Sequence, residues 1–187
     1  FVAVAAGEGM AKILKSLGVD VVVSGGQTMN PSTKDLLDAV ERVNADAVII
    51  LPNNSNIIMA AQSAAGLSEV PCAVVPTKSV PQAFSAMFSI DETASLEENV
   101  ESMTSAFADT KTGEVTTAIK DSKDAHDNPI HNGDVIGIAD GSIEAVGTSV
   151  EDVVMSLLDT MEAEDADTLT LLAGEDFSDE RMSALVE

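Results

Sequence analysis

The sequence predicts an α/β protein: an open, mostly parallel sheet with helices on both faces, joined to a smaller α+β part with an antiparallel sheet. Three observations carry this. From residue 1 to about residue 90, short β-branched runs alternate with amphipathic stretches of helical length, the pattern of successive βα units. Beyond residue 113 the apolar period changes from helical to alternating. Asp140-Gly141, set between alternating runs at 135–139 and 142–146, is a two-residue hairpin turn. With 187 residues and 45% hydrophobic content, the chain has material for one main core and a smaller appendage.

Strands are expected first at 2–6, 19–23, 47–51 and 73–75, short apolar runs such as Val48-Ile49-Ile50-Leu51. Helices are expected between and after them at 9–17, 31–43, 56–67 and 80–88. Asn30 is placed to cap the second helix, with Pro31 at its first position, where a missing N–H is harmless. Ser79-Val80-Pro81-Gln82 has the form of a capping box for the fourth. Ser95-Leu96-Glu97-Glu98 has the same form and opens an acidic helix to about Asp109, which Lys111-Thr112-Gly113 terminates. A strand at 114–120, a polar loop at 121–132 and the hairpin follow. Ser149 then caps a helix to about Met161, 169–173 reads as a buried strand, and Ser178 caps a last helix through Val186. The expected domains are 1–112 and 113–187, the second truncated at its C-terminus. The opening strand has no lead-in, which points to a fragment of a longer protein.

Nine Lys and Arg stand against 32 Asp and Glu, a formal charge of −23. Such a surface repels phosphate backbones and anionic lipid, which argues against a nucleic-acid partner. No apolar run reaches the 18 residues of a membrane span and no leader-like segment precedes the first strand, so neither stable membrane insertion nor export is expected. The lone Cys72, within an apolar run, has no internal disulfide partner and reads as a core thiol in a reducing compartment, the cytoplasm.

In an open parallel sheet, ligands bind beyond the carboxyl ends of the strands, near the point where strand order reverses. All four early strands end in polar loops: Gly7-Glu8-Gly9, the stretch from Gly25 to Asn30, Pro52-Asn53-Asn54-Ser55-Asn56, and Pro76-Thr77-Lys78-Ser79. The candidate ligand- or partner-binding residues are Gly25, Gly26, Gln27, Thr28, Asn30, Asn53, Asn54, Thr77 and Lys78. The glycines let backbone approach closely, the amides and hydroxyls supply neutral hydrogen bonds, and Lys78 is the one cation, suited to a carboxylate or phosphate. The same Asn and Ser residues also suit plain helix capping and chain turning. No nucleophile accompanies them. Gly7-Glu8-Gly9 lacks the third glycine of a dinucleotide fingerprint, and neither a G-x-x-x-x-G-K-[ST] phosphate loop nor a G-x-S-x-G elbow occurs. His126 and His131, beside Asp124 and Asp127, read as a solvated loop rather than a metal site. No catalytic centre, metal or cofactor is expected in this chain. The acidic helix carrying Glu97, Glu98, Glu101 and Asp109 reads either as a wet face or as a docking surface for a basic partner.

Five blocks in fixed order carry a family resemblance: Val-Ala-Val-Ala-Ala-Gly-Glu-Gly-Met at 2–10, Gly-Gly-Gln-Thr-Met-Asn-Pro-Ser-Thr at 25–33, Ile-Leu-Pro-Asn-Asn-Ser-Asn-Ile-Ile-Met-Ala-Ala at 50–61, Val-Pro-Thr-Lys-Ser-Val-Pro-Gln at 75–82 and Gly-Asp-Val-Ile-Gly-Ile-Ala-Asp-Gly at 133–141. From residue 1 to about 176 the chain resembles the C-terminal region of the catalytic component of bacterial fatty acid kinase, which belongs to a dihydroxyacetone-kinase-like (DAK2-domain) family. The resemblance implies a DegV-like fold and a kinase domain elsewhere in the full protein that binds ATP and magnesium. It implies a noncatalytic role for this region: engaging the DegV-like, fatty-acid-binding subunit whose bound fatty acid becomes an acyl phosphate. A homodimer of the full-length protein is a further expectation. The segment 27–32 resembles the loop that holds the fatty acid head group in DegV-like proteins. Two other readings stay open: a small-molecule domain holding a fatty acid, carboxylate or phosphate head group at Gln27, Thr28, Asn53, Thr77 and Lys78, and a glycerone-kinase-like enzyme using a covalent histidine, His126 or His131.

Overall fold

A computed structural model describes residues 1–26, 29–124 and 127–186, and it divides the chain into two compact units, Phe1–Thr110 and Lys111–Glu187. Among the described residues no helix is long and apolar enough to cross a membrane.

The first unit contains β1 (Val2–Ala5), α1 (Glu8–Ser16), β2 (Val21–Ser24), α2 (Thr33–Val43), β3 (Val48–Leu51), α3 (Ile58–Leu67), β4 (Cys72–Val74), α4 (Val80–Phe88) and α5 (Leu96–Ala106). Its strands form one parallel sheet in the order β2-β1-β3-β4. The step from β1 to β2 and the return from β2 past β1 to β3 run in opposite directions. Right-handed crossovers therefore put α1 on one face and α2, followed by α3, on the other. The packing follows this rule. Val2, Val4, Val48 and Ile50 pack with Leu36, Val40 and Ala61 of α2 and α3, while their alternate neighbours Ala3, Ile49 and Leu51 pack with Leu14, Ala83 and Met103 of α1, α4 and α5. The two central strands are buried at every residue, which is why they read as unbroken apolar runs. Full burial of a side chain such as Leu36 or Ile50 contributes about 1.5–3 kcal/mol.

Strand and helix limits shift by one or two residues from expectation, and two helix ends depart from the caps expected of them. Asn30 does not cap α2, and Pro31 does not begin it. The helix starts at Thr33 behind Ser32, whose hydroxyl accepts from the Asp35 N–H while the Asp35 carboxylate accepts from the Ser32 N–H. A complete capping box outcompetes a Pro entry because it satisfies two N–H groups at once. The acidic helix α5 begins as expected, with Ser95 and Glu98 forming the reciprocal box, but it ends at Ala106 rather than Asp109. Turns closed by the Ala108 and Thr110 N–H groups follow it, and Gly113 begins a strand instead of terminating a helix.

The second unit contains β5 (Gly113–Thr117), the short pair β6 (Ser122–Lys123) and β7 (Pro129–Ile130), β8 (Val135–Ala139), β9 (Ser142–Gly147), α6 (Val150–Thr160) and α7 (Asp179–Val186). An antiparallel sheet in the order β5-β8-β9 carries α6 on one face. Asp140 and Gly141 both take positive φ, 49° and 87°, the requirement of a type I′ hairpin. Gly113 is needed for proximity: a Cβ there would lie 2.9 Å from the Leu157 side chain of α6. The 121–132 loop holds the β6–β7 ribbon, two residues to a strand, tied by Asp124 to Asn128 and by Asp121 to Asn132.

The run 169–173 is not a buried strand. Leu169 is 55% exposed, Leu172 is 39% exposed, and no strand among the described residues pairs with them. Leu169 and Leu171 instead line an open apolar groove with Val154 and Leu158 of α6 and Met182 and Leu185 of α7. Ser178 does cap α7, accepting from the Arg181 N–H, and Arg181 ties that helix to α6 through paired bonds of 2.7 and 2.9 Å to Glu151. The guanidinium also stacks on Phe177, 4.5 Å from the ring centre.

Candidate functional site

Because β2 and β3 lie on either side of β1, the chain leaves β1 and β3 in opposite directions, and their carboxyl ends form the switch point of the sheet. The end of β1 is flanked on one side by the loop after β2 and on the other by the loop after β3.

On the β2 side, the Gly25 N–H donates to the Ala5 carbonyl at 3.1 Å and the Gly26 N–H to the Met29 carbonyl at 2.9 Å. The loop folds back so tightly that a Cβ on Gly25 would sit 2.7 Å from Pro31 Cδ and 2.8 Å from Val4 Cγ1. Only glycine fits there. Asn30 is exposed, and Met29 is 66% exposed. Gln27 and Thr28 lie outside the described residues, as does His126.

On the β3 side, Asn53 adopts a left-handed backbone, φ 57°. Its Nδ2 donates to the Val4 carbonyl at 2.9 Å, its N–H donates to Thr77 Oγ1 at 3.1 Å, and its Oδ1 accepts from the same Thr77 hydroxyl at 2.7 Å. Thr77 is completely buried. One asparagine thereby ties together the ends of β1, β3 and β4. Asn54, also buried, turns inward so that its Oδ1 accepts from the Asn56 N–H at 2.9 Å and shapes the turn into α3. Lys78 is exposed, its N–H donates to Gln82 Oε1 at 2.7 Å, and its ammonium has no ion-pair partner among the described residues.

The structure thus brings Asn53 and Thr77 into direct contact, sets Gly25 and Gly26 against the other side of the same strand end, and leaves Asn30 and Lys78 in solvent. Asn53 and Thr77 spend their side-chain polar atoms on each other and on backbone, and Asn54 commits its Oδ1 to backbone. Among the described residues no buried side-chain nitrogen or oxygen lacks a partner. The sequence already marks these positions as polar strand ends. What it does not mark is that an Asn in the left-handed region, directly after Pro52, is the point from which three strand ends are joined. The described part of this rim holds one carboxylate, Glu8, and no histidine or cysteine. His131 lies in the second unit, where its N–H donates to Asp134 at 2.7 Å. No group of three potential metal ligands occurs among the described residues.

Comparison with known proteins gives a consistent result. A family model for the C-terminal region of FakA-like fatty acid kinase proteins matches residues 1–187. Protein YloV of Bacillus subtilis is 45% identical over 185 residues, 98% of this chain and 33% of the relative. An uncharacterised protein of Staphylococcus haemolyticus is 39% identical over 186 residues, 100% of this chain and 34% of the relative. An uncharacterised protein of Staphylococcus aureus is 39% identical over 175 residues, 94% of this chain and 32% of the relative. The chain spans about a third of the length of these relatives. With the switch-point loops and the full-length match in hand, the chain belongs to the FakA-like family of fatty acid kinase C-terminal regions.

Proposed function

We propose that this chain is the noncatalytic, partner-engaging domain of a fatty acid kinase. In this reading it docks the protein that carries the fatty acid, while a kinase domain elsewhere in the same polypeptide, using ATP and magnesium, phosphorylates the fatty acid carboxylate. The sheet of the first unit is read as DegV-like and the complex as acting in the cytoplasm. The observation that carries the reading is the split within the rim. Asn53 and Thr77 are bonded to each other and to backbone and Asn54 Oδ1 to the Asn56 N–H, while Met29, Asn30 and Lys78 are exposed at the same strand ends. An exposed apolar side chain, a neutral amide and a cation together suit a protein surface better than a small ligand.

The test uses the whole kinase and its lipid-loaded partner. Substituting Lys78→Glu together with Met29→Asp is expected to raise KM for the partner about tenfold, roughly 1.4 kcal/mol, with kcat little changed. An equal fall in kcat at constant KM would move these residues into chemistry and sink the docking reading. The chain by itself is expected to show no ATP hydrolysis and no acyl phosphate formation; either activity would overturn the proposal.

A further inference from the structure

The sheet of the first unit has an open edge at β4. The Val48 N–H donates to the Pro71 carbonyl and the Val75 N–H to the Ile50 carbonyl, so residues 71, 73 and 75 face β3. By alternation, the N–H and C=O groups of Cys72 and Val74 face away from the sheet, and no strand, loop or side chain among the described residues bonds to them. These two residues stand about 6.6 Å apart along the strand, the repeat that another extended backbone presents.

This edge is not bare. α5 runs beside it, and an open groove of about 490 Å³ lies between them, lined by Cys72 and Ala73 of β4 and by Leu96, Val100, Glu97 and Glu101 of α5. Leu96 and Val100 make the groove apolar. Glu97 and Glu101, one helical turn apart, are exposed and form no ion pair among the described residues, and α5 contains no Lys or Arg. Glu98, by contrast, is committed to the helix cap through the Ser95 N–H at 2.8 Å.

We infer that the β4 edge and the α5 groove form a second docking site, separate from the strand-end rim, for an extended segment of a partner protein that carries both apolar residues and Lys or Arg at every second position, on the face turned toward α5. The segment adds as a fifth strand beside β4. Its backbone uses the outward groups of Cys72 and Val74, its apolar side chains lie on Leu96 and Val100, and its cations meet Glu97 and Glu101. A helical occupant would leave the edge groups unpaired, and an acidic one would be repelled.

Hydrogen exchange in the whole protein tests this, with a short blocked peptide as probe in which threonine fills every second position and valine and lysine take turns at the others, so that one face carries both. Saturating peptide is expected to slow deuterium uptake several-fold in residues 70–76. The same peptide N-methylated at alternate amides keeps its charge but loses its ladder, and is expected to give no protection. Glu97→Lys with Glu101→Lys lies on an exposed helix face and is expected to abolish protection at low salt without altering the fold. Val74→Pro removes one outward N–H, leaves the β3 ladder in place and is expected to weaken binding severalfold. Equal protection by the N-methylated peptide, or undiminished protection of the charge-reversed variant, overturns the inference. So does full protection of 70–76 before any peptide is added, since the edge would then already be occupied by the same polypeptide.

Discussion

At the scale of single residues, the rim depends on Thr77 and Gly25 more than on its exposed side chains. Thr77→Val keeps the shape but leaves the Asn53 N–H and Oδ1 without their partner in a buried place, at an expected cost of about 1–3 kcal/mol read from the denaturant midpoint. Thr77→Ser restores the hydroxyl and is expected to recover most of that loss; no difference between the two variants would mean the clamp is not a stabilising feature. Gly25→Ala forces a Cβ against Val4 and Pro31, and overpacking of this kind costs about 1–3 kcal/mol. Cys72 supplies a pH-dependent contribution. Burial pushes its thiol from an ordinary 9.0 up to about 11. The neutral thiol is thus favoured in the folded chain, so its contribution is complete below about pH 9 and is lost as pH rises toward 11. Alkylation of Cys72 in the folded protein should be slow at neutral pH and should climb toward pH 11, and a rate profile inflecting below 9 would contradict the burial.

Among the elements, capping decides where helices start, and it was only partly legible. The Ser95 and Glu98 box was readable because nothing competes with it. At α2, Asn30 and Pro31 offer an equally good local entry two residues early, and the choice of Ser32 depends on the loop first closing through Gly26 and Met29. Ser32→Ala and Ser95→Ala are each expected to cost about 1 kcal/mol by denaturant titration. Hydrogen bonds from Ser32 hold the Asp35 carboxyl below its ordinary value, and those from Ser95 do the same for Glu98. Groups depressed in this way stabilise the fold above the unfolded carboxylate range and lose that effect as pH falls through it. The two cap variants should therefore show a shallower loss of stability on acidification than the parent, and parallel curves would refute the assignment. The ribbon formed by β6 and β7 was not legible at all, since strands of two residues carry no period and are held by side chains of Asp121, Asp124 and Asn128.

For the molecule as a whole, the charge of −23 dominates. Self-repulsion of this size is screened by salt, with a screening length near 8 Å at about 0.15 M. Raising sodium chloride from about 0.01 M to 0.15 M is expected to increase the melting temperature, and a decrease would mean that surface ion pairs such as Arg181 with Glu151 outweigh the repulsion. The same acidity directs the search for partners toward basic segments. By itself the sequence determined the succession of βα units, the hairpin at Asp140-Gly141 and the family, because apolar period and turn chemistry are local properties of the chain. Only the tertiary structure decided the strand order, the inward locking of Asn53 and Thr77, and the failure of 169–173 to form a strand. Each of these depends on which distant group is present to pair with a polar or apolar surface: Val4 and Thr77 for Asn53, α6 and α7 for Leu169 and Leu171, and, among the described residues, no neighbouring strand for either 169–173 or the outer edge of β4.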